Sequence, residues 1–160
     1  MPVGNDYQVS SEGAVRHWFV PYARMTDTTP TVGNPAELTA LVAGTEIGGT
    51  VLSIDASVSM AIVDFTCSMV YKHKVRNVRT YNVGVAELTW GVLDVGTRVY
   101  YDNSASMPAD VYLSTSPLDL TGAANSLFGT IAYSANVTLP TTTATAATEE
   151  VPVMQRGAGA

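Results

Sequence analysis

Three side chains could carry nucleophilic or general-base chemistry: Cys67, His17 and His73. A cysteine beside a histidine makes an activated thiolate, and Cys67 and His73 share a face if residues 67–76 form a strand. Six residues of strand, however, separate them by roughly 20 Å, far beyond hydrogen-bond reach. The sequence therefore predicts no enzyme, and Cys67 reads as a small buried hydrophobe. Metal chemistry lacks its spacing as well. A single cysteine builds neither a cysteine-based zinc site nor an intramolecular disulfide, and Asp55, Asp64, Glu87 and Asp94 stand singly. Gly44, Gly48 and Gly49 lack the Lys-Ser/Thr of a phosphate loop and precede a strand rather than a helix. No catalytic, cofactor-binding or metal-ligating residue is expected.

Binding residues are easier to find. Lys72, Lys74, Arg76 and Arg79 are four of the eight basic residues and fall within eight positions. Such a strip could meet phosphates, but no aromatic platform is interleaved on its face, and a formal net charge of −6 opposes a nucleic-acid partner. Two other readings stay open: a charged edge that discourages strand pairing, and a patch complementary to an acidic protein. Trp18, Tyr22 and Trp90 are read as core first and as interface anchors second. Val3, Tyr7 and Val9, in a polar N-terminal stretch, complete the candidate interface residues.

The elements that must position these residues are strands. Of 160 residues only 22 are charged, 14% against about 25% in an average domain, while the hydrophobic share is 46%. The chain is thus no disordered segment, yet it carries roughly one charge per 350 Å² of expected surface. Much of that surface is expected to be covered by something other than water. No basic stretch followed by an apolar run opens the chain, and no apolar run approaches the ~20 residues of a membrane helix. The expectation is a protein made in a reducing compartment with no membrane partner.

Residues 1–14 read as an extended arm, 15–138 as a β body, and 139–160 as a low-complexity tail with a closing strand near 150–154. Short apolar and β-branched runs end at turn signals such as Asp94-Val95-Gly96, a spacing that predicts an all-β fold, a compact barrel or sandwich. The clearest alternation places Cys67, Met69, Tyr71, His73 and Val75 on one face, and Ser68, Lys72, Lys74 and Arg76 on the other. Pro152 assigns the closing strand to an edge. At most one short helix is expected, from Asn34-Pro35-Ala36-Glu37, where a cap residue, a first-turn proline and a glutamate line up.

Two segments carry a family resemblance. Gly96-Thr97-Arg98-Val99-Tyr100-Tyr101-Asp102, followed by Asn125-Ser126-Leu127-Phe128-Gly129-Thr130-Ile131-Ala132, resembles the capsid cement (head decoration) proteins of tailed bacteriophages. Members typically carry Gly-Asp-x-Val-Tyr-Trp-Asp and then Asn-x-Leu-Phe/Ile-Gly-x-Ala. Here Thr97 replaces the acidic residue, Tyr101 replaces the tryptophan, and Thr130-Ile131 stands where valine is usual. Residues 48–63 and Val151-Pro152-Val153-Met154 resemble the family's first unit and closing strand more loosely. The resemblance implies a non-enzymatic virion protein on the outer face of a phage head, made in the host cytoplasm. Its implied partners are the major capsid protein and sister copies in a homotrimer. A ligand-binding β-module, such as a carbohydrate binder, is the alternative, and would need Trp90 and Tyr100 exposed on one face.

The charge balance yields a direct test. Binding to duplex DNA at physiological salt is expected to be negligible; submicromolar affinity with a steep salt slope would show that the basic strip serves phosphates.

Overall fold

Apolar residues recur at every second position in runs of four to nine residues, and such runs bury one face only when paired with neighbours. The computed structural model describes residues 7–10, 17–39, 47–82, 85–89, 91–102, 113–137 and 150–156. Among these residues the fold is all-β, with fourteen strands and one 3-10 turn. The chain divides into two units, Met1–Met69 with Gln155–Ala160, and Val70–Met154. The division falls inside the stretch 15–138 that composition groups as one body.

The first unit is built on one antiparallel sheet. Its strands are β1 (Tyr7–Ser10), β2 (His17–Pro21), β3 (Pro35–Leu38), β4 (Ile47–Asp55) and β5 (Met60–Asp64), in the order β1-β2-β5-β4-β3. Register sets the core: Trp18 lies opposite Val63 and Val20 opposite Ala61, and all four are buried beside Val51, Ala36, Leu38, Met25 and Phe65. The Phe65 ring meets Trp18 edge-on at 6.3 Å and crosses the backbone at Gly49. A Cβ on Gly49 would stand 2.6 Å from that ring and 2.5 Å from the Asp64 carbonyl oxygen, so only glycine fits.

The segment from Asn34 is not helical. Residues 35–38 form β3, buried along its whole length. The 31–34 turn, closed by Asn34 N–H donating to the Thr31 carbonyl with Gly33 at φ +87°, delivers the chain alongside β4. There Pro35 pairs with Thr50 and Leu38 with Ile47. The 3-10 turn Tyr22–Arg24 leads into a bridge between Met25 and Leu38 on the other side. Pairing on both sides outweighs a helix signal of four residues.

The second unit contains β6 (Val70–Arg76), β7 (Val78–Asn82), β8 (Val85–Leu88), β9 (Gly91–Leu93), β10 (Arg98–Tyr101), β11 (Leu113–Ser114), β12 (Ser126–Ile131), β13 (Ala135–Val137) and β14 (Glu150–Gln155). Strands β10-β11-β6-β14-β12 close into a barrel, and β7-β8 and β9-β13 form two-stranded ribbons. The barrel core holds Val75, Val99, Tyr101, Leu113, Phe128, Ile131, Val151 and Val153, with Leu93 from β9. The two segments that carry the family resemblance become neighbouring strands, since β10 pairs with β12 from Arg98–Thr130 to Tyr101–Ser126.

Pro152 does not mark an edge. Strand β14 lies between β6 and β12 in the closed barrel. The Pro152 carbonyl accepts from Ala132 N–H, just past the end of β12. Its nitrogen faces the same way, so the missing N–H falls where the β12 ladder has ended and costs no bond with β6.

The last residue of β14 belongs to the first unit. Gln155 is 1% exposed, yet every polar atom of its side chain is used. Thr50 Oγ1 donates to its Oε1 at 2.8 Å, and its Nε2 donates to the carbonyls of Asp64 at 2.9 Å and Thr66 at 3.0 Å. Replacing it with leucine strands these partners without water. Gln155→Leu is expected to destabilise the chain by about 3 kcal/mol, a fall in melting temperature of roughly 6–12 °C. A fall below about 2 °C in a calorimetric scan would show that the network is not structural.

Candidate interface sites

The residues with catalytic potential are not brought together. Cys67 and Ser68 lie in a turn before β6, with Ser68 at φ 65°, and the Cys67 thiol stands 3.7 Å from the Ser68 hydroxyl. Cys67 is exposed rather than buried. The expected alternation begins only at Val70, because Ser68 N–H donates to the Gln155 carbonyl and Gln155 N–H to that of Met69, bending residues 67–69 out of the strand. His73 is buried inside the barrel unit, edge-on to Phe128 at 5.4 Å. His17 is half-buried on β2. Among the described residues no group of three metal-ligating side chains occurs.

Several carboxylates are committed to their own turns. Asp27 accepts from Thr29, and Asp55 from Ser57, through backbone and hydroxyl alike. Asp119 accepts from the Thr121 hydroxyl at 2.6 Å, from Thr121 N–H and from Ala123 N–H at 2.9 Å. Chiefly through the Thr121 hydroxyl, these bonds hold its carboxyl below the usual value. They close a turn that Gly122 completes at φ +87°.

The basic strip is dispersed by the fold. Lys72 is exposed, Lys74 half-buried and Arg76 fully buried. Arg79 lies on β7, where only its backbone is described. Period-two patterning places Arg76 on the outer face with the lysines, but β6 ends there. Thr115 N–H donates to the Arg76 carbonyl, and Thr115 Oγ1 accepts from Val78 N–H, closing the 114–116 segment over the strand end. Strand β6 pairs with β14 from Val70 to Lys74 but with β11 only at Val75 and Arg76, so on the β11 side Lys72 and Lys74 have no paired strand among the described residues. Lys74 sits directly opposite Glu150 in the β14 register, a cross-strand position that favours opposite charges.

The aromatic candidates divide likewise. Trp18 is core, and Tyr22 packs half-buried against the same cluster. Tyr100 is half-buried. Val3 and Trp90 lie outside the described residues. Tyr7 and Val9 lie on β1, with backbone pairing to β2 and a bulge between Gln8 and Ser10.

The structure offers two surfaces, one at β1, which holds the candidates Tyr7 and Val9, and one at residues that patterning did not single out. On the first unit, β3 is covered along its outer side: Thr26 N–H donates to the Glu37 carbonyl and Thr39 N–H to that of Arg24. The other sheet edge is β1, and among the described residues β1 pairs only with β2. On the second unit, Val92, Val95 and Tyr133 are exposed at 52%, 61% and 63%. Val95 could have been noticed, because the 94–97 turn has no structural need of an apolar residue at its tip.

No family model, curated protein or solved structure matches the chain. The exposure of Cys67 is open to direct measurement. In the native protein its thiol is expected to react with an aromatic disulfide reagent at a rate within about tenfold of a free thiol; reaction only after denaturation would restore it to the core.

Proposed function

We propose that the chain is a non-enzymatic structural protein of a phage virion, a cement protein on the outer face of the head that bridges major capsid subunits. The observation that carries this reading is the outer edge of β1, which pairs on one side only among the described residues. A sheet edge presents a row of backbone donors and acceptors, and a neighbouring strand can join it with little demand on side chains. Among the described residues one edge of the sheet is bonded by residues 24–26 and Thr39, while β1 at the other edge has a partner on one side only and offers its other side to a joining strand. The bulge near Val9 interrupts the ladder, a feature that blunts indiscriminate pairing and favours a partner of matching register.

Further support comes from composition and from the paired motifs. A sparsely charged surface suits a protein covered by neighbours, and the two segments resembling cement proteins form adjacent barrel strands. Adhesion of this kind is multivalent. Single contacts remain modest, and several copies touching several capsid subunits gain avidity without any new contact type. A homotrimer on the shell would act in this way.

Removing residues 1–14 tests the reading. The shortened chain is expected to melt within a few degrees of the full chain, since a four-residue edge strand contributes about 1–2 kcal/mol at most. Its occupancy on shells assembled from the cognate major capsid protein should fall at least about tenfold, with earlier rupture under heat or osmotic shock. Undiminished occupancy, or failure of the full chain to bind such shells, would overturn the proposal.

A further inference from the structure

The second unit carries an apolar corner that its own fold leaves uncovered. Two short spans meet there. One is the 94–97 turn joining β9 to β10, closed by Thr97 N–H donating to the Asp94 carbonyl at 3.1 Å with Gly96 at φ +86°. The other is the 132–134 link between β12 and β13. They are tied at both ends: Gly96 N–H donates to the Ile131 carbonyl at 2.8 Å, and Leu93 pairs with Ala135. Val95 and Tyr133, both exposed, therefore lie in two spans that are held together at both ends. Val92, exposed on β9 just ahead of the buried Leu93, precedes the same turn.

Charges frame the corner in a particular way. Asp94 precedes Val95 and Arg98 follows the turn; both are exposed. Although only one turn apart, they make no ion pair with each other or with any described residue. An apolar centre bearing one tyrosine, flanked by one unpaired anion and one unpaired cation, is complementary to itself. Asp94 of one copy can face Arg98 of another while the valines and Tyr133 exclude water between them. A sugar platform would present aromatic faces beside polar hydrogen-bonding groups, whereas this corner presents aliphatic side chains around a single ring.

We infer that this corner is the surface through which copies of the chain associate with one another, the occupant being a second copy of the same chain. The inference deepens the shell-adhesion reading, on which it rests for the need of several copies to act together, and names the surface that joins them.

The test is sedimentation equilibrium of the full chain at micromolar concentration, with circular dichroism as the folding control. The wild type is expected to be oligomeric. Tyr133→Ser and Val95→Glu, both at solvent-exposed positions, should each weaken association at least about tenfold with unchanged spectra. Asp94→Arg alone should weaken it similarly, and Asp94→Arg combined with Arg98→Asp should return it to within about threefold of wild type. A wild type that sediments as a monomer, variants that assemble like wild type, or a double swap that recovers nothing would each overturn the inference. Shell binding is scored separately. An oligomer that ignores capsid shells defeats the adhesion reading and leaves this surface standing, whereas a monomer that coats shells does the reverse.

Discussion

The side chain of Gln155 ties together parts of the first unit that are far apart in sequence. A buried amide must find partners for its carbonyl oxygen and both N–H groups, or the core loses more than the glutamine contributes. Here the partners are Thr50 on β4 and the carbonyls of Asp64 and Thr66 at and after the end of β5. The backbone of the same residue holds Ser68 and Met69, so one residue from the last strand fixes where β5 ends and where the chain leaves the sheet. Exposure of Cys67 and the late start of β6 both follow from that bend.

Backbone satisfaction also determines where the molecule is free to bind. In the second unit five strands close into a barrel, and β14 carries a proline there because its missing N–H falls past the end of β12. In the first unit the sheet of described strands runs from β1 to β3 without closing. The outer side of β3 is satisfied by residues 24–26, and β1 is left with pairing on one side among the described residues. The proposed attachment through β1 and the proposed association through the Val95–Tyr133 corner thus use surfaces that each unit, taken by itself, has not covered.

Much of the fold was legible because strand periodicity and turn chemistry are local. The all-β class, the 94–97 turn, the shared strand face of His73 and Val75 and the core position of Trp18 all follow from short-range patterning. The misreadings share one physical origin, pairing at a distance. Pro35 looks like a first-turn helical proline until its strand pairs with β4 and Met25 bridges Leu38 at the strand's other end. Arg76 continues a polar alternation until the 114–116 segment closes over the strand end. Pro152 signals an edge unless its missing N–H falls beyond the end of β12. Of the candidate interface residues, Trp18 lies in the core and Tyr22 packs half-buried against it, since aromatic rings carry the same composition signal in core and interface. Val95 and Tyr133 were not singled out because two apolar residues in separate turns show no period, and only the Gly96–Ile131 bond and the Leu93–Ala135 pairing hold their two spans together.

Amide hydrogen exchange on the full chain, free and bound to shells of the cognate major capsid protein, tests strand addition at β1 most directly. In the free chain the outward-facing amides of Tyr7–Ser10 should exchange quickly, since β1 is paired on one side. On the shell, strand addition would slow them by at least about tenfold, while the barrel strands β6 and β12 change little. Shell-bound protein whose β1 amides exchange as fast as in the free chain would contradict the account.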